Sequence, residues 1–252
     1  MDDFDLYQFK RSHYNEKARW ALDHKRLPHT RHSLLPGPHK FSVTRLSGQA
    51  QVPVLRHGRK IIAGSARIID YLEQLVPEPA LYPHSPDALA KAQAIQACFD
   101  AEVGPAVRCA AFSDLMDDPG YFALTFSDDR SLATRAVYRA LLPVTQALMK
   151  RDLGITSATI EPARATVRAA LDRVVEDSRA TGYLVGDAFS VADLTAAALL
   201  MPAVQPPEGP TYPEPRAAVA LRWAARWADH PGAAWVRGIY RRHRGESAEV
   251  RV

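Results

Sequence analysis

Two stretches decide the reading of this chain: FKRSHYNEKARW, Phe9–Trp20, and QVPVLRHGRKIIAGS, Gln51–Ser65. The run from Phe4 to Phe9 predicts a strand. Ala18, Ala21 and Leu22 recur at helical spacing and predict a helix over Tyr14 to His24. Ser12 then stands at a strand-to-helix turn, where backbone N–H groups lack intrahelical acceptors and the dipole favours negative charge. The second stretch reads as a hairpin, with strands at Val52 to Leu55 and Lys60 to Ala63 joined through His57 and Gly58. Its opening Pro53 suits a backbone that pairs with an extended ligand rather than with another strand. Gly64 and Ser65 open a second helix, whose inner face carries Ile68, Ile69, Leu72 and Leu75. Two helix starts able to receive anions fit a peptide-like thiol, with its thiolate at one and a carboxylate at the other.

The rest of the sequence fills out that picture. Of 252 residues, 47% are hydrophobic and 24% charged, enough for a full globular core. No apolar run approaches membrane-spanning length, and the acidic start MDDFD lacks a secretory signal's basic and apolar pattern. Cys98 and Cys109 form neither a disulfide framework nor a CxxC, so a reducing cytoplasm is the expected compartment. At eleven residues apart they read as small buried hydrophobes on nearly one helix face. The net charge of +4 is mild, and its basic excess gathers in Arg237, Arg241, Arg242, Arg244 and Arg251. That cluster reads as a solvated helix face and tail, not a nucleic-acid footprint.

The composition changes near residue 77. Before it, a strand expected at Thr30 to Leu34 and a loop at Pro36 to Lys40 complete the order βαβ then ββα, a mixed sheet with helices around it. Four prolines between Val76 and Pro86 read as an interdomain linker. The expected division is therefore a domain at 1–76, a linker at 77–86 and an all-helical domain at 87–252. Helices are expected at about 87–112, 128–152, 161–180, 190–201, 215–229 and 231–243. Ser190 and Asp193 form a capping box ahead of an Ala/Leu run, which marks a buried central helix. The stretch 113–128 reads as an exposed insertion that could cover the cleft.

With these residues in place, the chain resembles the cytosolic glutathione transferase superfamily over nearly its full length. The resemblance rests on Ser12-x-x-Asn15 followed by Lys17, Ala18, Arg19 and Trp20. It rests also on Val52-Pro53-Val54-Leu55, on Gly64-Ser65, and on GDAFSVAD at Gly186–Asp193. It implies a thioredoxin-like α/β N-terminal domain, an all-α C-terminal domain, glutathione as cosubstrate with no other cofactor, and a homodimer. It implies a cis peptide at Pro53, with Val52 holding the cysteinyl part of glutathione through its backbone. Ser12 lies where the family's catalytic residue stands and is expected to donate to the thiolate; its rival role is a plain N-cap. Asn15 can assist or replace it, or merely cap the helix, and Tyr7 matches the catalytic tyrosine of other branches by number alone. His39, Lys40 and Gln51 are expected near the glycyl carboxylate, and Gly64 and Ser65 at the γ-glutamyl carboxylate.

Departures accompany the match. Gly64 stands where many members carry an acid or Gln, which leaves the γ-glutamyl amine to Asp100 or Glu102. The segment Ser47 to Gln51 also differs from the usual pattern. Without cysteines at 12 and 15 there is no dithiol cycle. The electrophile pocket is expected from Phe112, Leu115, Met116, Tyr121 and Phe122, whereas Trp223, Trp227 and Trp235 read as core. The expected activity is conjugation of glutathione to a small apolar electrophile. The alternatives are glutathione-dependent disulfide or peroxide reduction, and a non-catalytic ligand-binding protein of the same fold. Neither metal, nucleic acid nor membrane is an expected partner.

Overall fold

The structure is a computed structural model that describes residues 3–250. Arg251, counted above in the basic tail, lies outside the described residues, as do Met1 and Asp2 at the acidic start. The N-terminal domain runs β1 Phe4–Gln8, α1 His13–His24, β2 His29–Ser33, α2 His39–Ser47, β3 Val54–His57, β4 Lys60–Ala63 and α3 Ser65–Leu75. The strands lie in the order β2-β1-β3-β4, with β1 parallel to β2 and antiparallel to β3. Phe4 and Leu6 alternate onto the face that meets Trp20, Ile68 and Leu72, so α1 and α3 cover one side of the sheet. Asp5 and Tyr7 take the other side, where Tyr7 stacks on His32 at 4.8 Å.

One expectation fails here. The segment around His39 and Lys40 is not a plain loop. After Pro36, Gly37 and Pro38 the chain enters α2, closed by Gly48 in the left-handed region at φ 74°. The proline cluster masked the helix because only Val43 is buried along it, which leaves almost no apolar periodicity to read.

An irregular stretch leads to α4 Pro86–Cys98, so the last residue of the expected linker is the first of a helix. A π-helical turn, Phe99–Val103, joins α4 to α5 Gly104–Leu115. The extra residue per turn breaks the 3.6 spacing that aligned the cysteines. Cys109 is buried and Cys98 is half-exposed. Next come α6 Pro119–Ser127, α7 Leu132–Ala140, α8 Leu142–Asp152 and α9 Ser157–Ser178. The chain ends in α10 Val191–Val204, α11 Ala218–Ala225 and α12 Pro231–His243.

The stretch 113–128 is not an exposed insertion. It contains α6, capped by Asp118 accepting from the Tyr121 N–H at 2.9 Å, and Tyr121, Phe122 and Ala123 are buried. Asp114, Asp117 and Asp118 lie in its first part, and the apolar run behind them drives it inward. The central helix is α10, with all but one of its residues buried. The Asp193 carboxylate accepts from the backbone N–H groups of Leu184 at 2.8 Å and Ser190 at 3.0 Å. Burial outweighs those bonds and pushes its pKa up to about 6. Trp223 and Trp227 are buried and Trp235 packs against the same core.

The two domains share a charged seam. Arg244, beyond α12, donates to Glu16 at 2.6 Å and Asp23 at 2.9 Å, both on α1. The tail then pairs with edge strand β2, the Val250 N–H donating to the His29 carbonyl at 2.9 Å. An otherwise open sheet edge is thereby covered.

Candidate active site

The register brings the two decisive stretches together. Val54 lies opposite Tyr7 across β1–β3 and opposite Ala63 across β3–β4. The ladder ends at that pair, so Val52 and Pro53 lead into β3 at the same end of the sheet at which β1 leads out toward Ser12. The Gly64 N–H donates to the Pro53 carbonyl at 2.9 Å, which fixes the start of α3 beside the same turn. Ser12, Val52, Pro53, Gly64 and Ser65 thus converge at one end of the sheet. The Val52–Pro53 peptide is cis. Val52 precedes β3, so its N–H and C=O stand outside the ladder.

Ser12 is extended at φ −79° and ψ 131°, and its carbonyl accepts the first helical bond, from the Glu16 N–H at 2.8 Å. Its hydroxyl makes no capping bond to α1. That is unusual for a serine at an N-cap, where the side chain ordinarily accepts from the second or third helical N–H. Asn15, one turn on, is fully buried, and neither its Nδ2 nor its Oδ1 has a hydrogen-bond partner among the described residues. Ser65 is buried at the start of α3, with Gly64 as N-cap at φ 97°.

The surroundings of this corner were less legible. Arg11 anchors the second domain over the turn: its guanidinium donates to the Thr211 carbonyl at 2.6 Å and also holds the Thr125 carbonyl and Asp128. Lys17 is sealed from solvent and donates to both Asp100 oxygens, at 2.9 and 2.7 Å. Asp100, one of two expected partners for a ligand amine, is therefore already occupied by a buried cation. Glu102, the other, is exposed.

His39 begins α2 and meets Phe9 edge-on at 4.7 Å. Lys40 points elsewhere, donating to Asp152 at the end of α8 at 2.7 Å. Gln51 is exposed, with its backbone tied to the Gln49 side chain.

The aromatic wall differs from the expected one. Leu115, Met116, Tyr121 and Phe122 are buried in the core, and only Phe112 of that group keeps a surface. Phe126 packs between Phe112, at 6.1 Å, and Phe9, at 6.5 Å. Along α5, Gly104, Arg108 and Phe112 recur every four residues and share one face. Gly104 has no side chain because Tyr14 lies against it: an added Cβ would fall 2.3 Å from the Tyr14 hydroxyl oxygen.

Arg108 sits between these two positions, 5.9 Å over the Tyr14 ring. Its Nε is buried and unpartnered, and it has no ion pair among the described residues. Burial lowers its pKa. Burial and the Arg108 charge also hold His13 neutral, with a pKa of about 3, and its Nε2–H donates to the Gly104 carbonyl at 3.1 Å. The signal for Arg108 in the sequence was an arginine in an otherwise small and apolar helical run, GPAVRCAAF.

A cavity of about 670 Å³ has neither Ser12 nor Ser65 in its lining. It is lined by Gln8, Glu16, Arg19, Arg130, Glu208 and Arg244 among others. Its buried charges largely satisfy one another: Arg19 and Arg244 both donate to Glu16. The convergence of helix starts and free backbone at the Ser12 corner is the stronger indication of a reaction site.

Known proteins share this fold. Residues 6–80 match the family described as glutathione S-transferase, N-terminal domain. A maleylpyruvate isomerase from Ralstonia sp. is 31% identical over 103 residues, which cover 40% of this chain and 49% of that protein, so the match spans about half the relative's length. A glutathione S-transferase from Rhodospirillum rubrum superposes with a TM-score of 0.61 at 23% identity, covering 92% of this chain and 86% of its own. The theta class glutathione S-transferase of Xanthomonas axonopodis pv. citri, solved with glutathione bound, gives 0.58 at 17% identity over 98% and 100% of the two chains. Residues 6–80 thus match a glutathione S-transferase N-terminal domain, and the chain shares its fold with solved glutathione S-transferases over nearly its whole length.

Proposed function

We propose that the chain is a glutathione-dependent transferase in which bound glutathione attacks an electrophile at the Ser12 corner. The observation that carries this reading is the meeting of an uncommitted Ser12 hydroxyl, the free backbone of Val52 and the start of α3 at one end of the sheet. Val52 pairs with the cysteinyl backbone as an added strand. Ser65 and the N–H groups behind Gly64 receive the γ-glutamyl carboxylate. His39 and Gln51 serve the glycyl end. Lys40 joins them only by leaving an exposed ion pair, which is worth little.

The Ser12 hydroxyl donates to sulfur and stabilises the thiolate, with Asn15 assisting. A free thiol, with a pKa of about 8.5, is mostly protonated at neutral pH. The proton leaves to solvent, the sulfur lone pair forms the new C–S bond, and the displaced group departs with its electron pair. Phe9, Phe112 and Phe126 flank the electrophile. A cytoplasmic homodimer completes the reading.

Arg108 favours a second form of the same chemistry. A guanidinium with no counter-ion, beside the start of α1, suits an electrophile that carries a carboxylate. The named relative is an isomerase of an unsaturated carboxylic acid. In that form the thiolate adds to the double bond to leave a carbanion, rotation about the new single bond follows, and elimination re-forms the double bond and returns the thiolate. A panel of an aryl halide, a mixed disulfide and a cis-unsaturated dicarboxylate, each with glutathione, tests the reading. Turnover of the first or third supports transfer; turnover of the disulfide alone favours reduction, and none favours a binding protein.

A further inference from the structure

We propose, resting on Arg108 as the carboxylate-binding cation of the site, that Tyr14 positions its guanidinium and so sets the preference for an electrophile that carries a carboxylate. Pro105, the second residue of α5, has no N–H to donate. In the π turn before it, Gly104 donates to the Phe99 carbonyl, five residues back. The next donor in that pattern would come from residue 105, so the Asp100 carbonyl has no helical partner. The Tyr14 hydroxyl takes that place and donates to the Asp100 carbonyl at 2.6 Å. Burial raises the Tyr14 pKa to about 12, so the hydroxyl keeps its proton at neutral pH. A partly buried carbonyl left without a donor is costly, and the bond therefore ties α1 to the turn.

Two neighbours on α1 repeat the link. Lys17 holds the Asp100 carboxylate through both oxygens, at 2.9 and 2.7 Å. His13 donates to the Gly104 carbonyl at 3.1 Å. The helix that carries Ser12 at its N-cap thus grips both ends of the step from Asp100 to Gly104. Arg108 follows one turn beyond Gly104 on the same face of α5. The Tyr14 ring lies 5.9 Å from its guanidinium. Gly104 permits that approach, since an added Cβ would fall 2.6 Å from the Tyr14 Cζ. No carboxylate among the described residues pairs with Arg108, so its orientation depends on the ring and on the backbone that the hydroxyl fixes. A guanidinium held beforehand loses less freedom when it binds an anion. Tyr14 then acts through Arg108 rather than on the ligand.

The test is calorimetric titration of the full chain with maleate, a cis-unsaturated dicarboxylate, in the presence of S-methylglutathione, whose blocked sulfur cannot attack. Arg108→Gln and Tyr14→Phe should each weaken maleate binding about tenfold. Tyr14→Phe keeps the ring, and S-methylglutathione should bind both variants as it binds the wild type. The double variant should bind maleate no more weakly than Arg108→Gln alone, because the hydroxyl then has no cation to position. A hydroxyl with a merely structural role would weaken binding by the same factor in both backgrounds, and that additivity would overturn the proposal. So would wild-type affinity in Tyr14→Phe beside a loss in Arg108→Gln, a result that leaves the role of Arg108 standing. No maleate binding by the wild type, or equal binding by Arg108→Gln, would overturn the role of Arg108 and the proposal with it.

Discussion

Replacing Arg244 with Ala should destabilise the chain by about 3–5 kcal/mol, the usual loss when one partner of a buried ion pair is removed. Arg244 is the hinge of the charged seam: its Nε reaches Glu16 at 2.6 Å, its Nη1 reaches Asp23 at 2.9 Å, and it lies 5.7 Å over the Trp20 ring. Without it, Glu16 keeps only Arg19 and two α1 carboxylates face a weakened set of donors. The pH dependence gives a second estimate. Burial alone would raise the Glu16 pKa, but Arg244 and Arg19 reverse that and bring it from 4.5 down to about 2. At 1.36 kcal/mol per unit this is about 3 kcal/mol of stability. Because the folded value is depressed, that contribution is complete above the unfolded pKa near 4.5 and fades as pH falls toward 2. Urea unfolding followed by circular dichroism at a series of pH values measures both. Arg244→Ala should lower the midpoint at neutral pH without changing the slope, and it should flatten the acid limb. A loss under about 1 kcal/mol, or an unchanged acid limb, would refute the argument that these charges are paired and dry.

Ser65→Ala should raise the KM for glutathione about tenfold and leave kcat nearly unchanged, the loss of one hydrogen bond to a carboxylate. Asp193→Asn should cost about 1–2 kcal/mol by thermal unfolding, as expected for a damaged capping box. Asp193 has a folded pKa near 6, above its unfolded value, so its ionisation penalises the fold. Stability from this group is greatest below about pH 4 and declines through pH 6, and the Asn variant should lack that decline. Arg108→Gln should raise KM for a carboxylate-bearing electrophile about tenfold to a hundredfold in steady-state assays and leave an aryl halide unaffected.

What could be read in advance follows from where the signal is local. Ser12, Pro53 and Ser65 stand at element ends, where turn and capping chemistry leaves a trace in a few residues. The Ser190–Asp193 box announced α10 for the same reason. Residues that act through tertiary contact left no such trace. Arg11 holds Thr211, two hundred positions away, and Lys17 meets Asp100 across the domain boundary. The helix at His39–Ser47 was missed because its surface faces solvent on most sides. The π turn at Phe99–Val103 breaks the helical spacing that aligned Cys98 with Cys109, and Leu115 and Met116 are buried in the core rather than open to a cleft.

Whether the start of α1 lowers the pKa of a bound thiol is the question on which the chemistry stands. Thiolate absorbance of glutathione titrated on the protein measures it directly, in the wild type and in Ser12→Ala. The bound thiol should ionise about 1–2 units below the free value near 8.5, and the shift should largely vanish in the variant while binding persists. The same ionisation in both proteins, or no binding at millimolar glutathione, would contradict it.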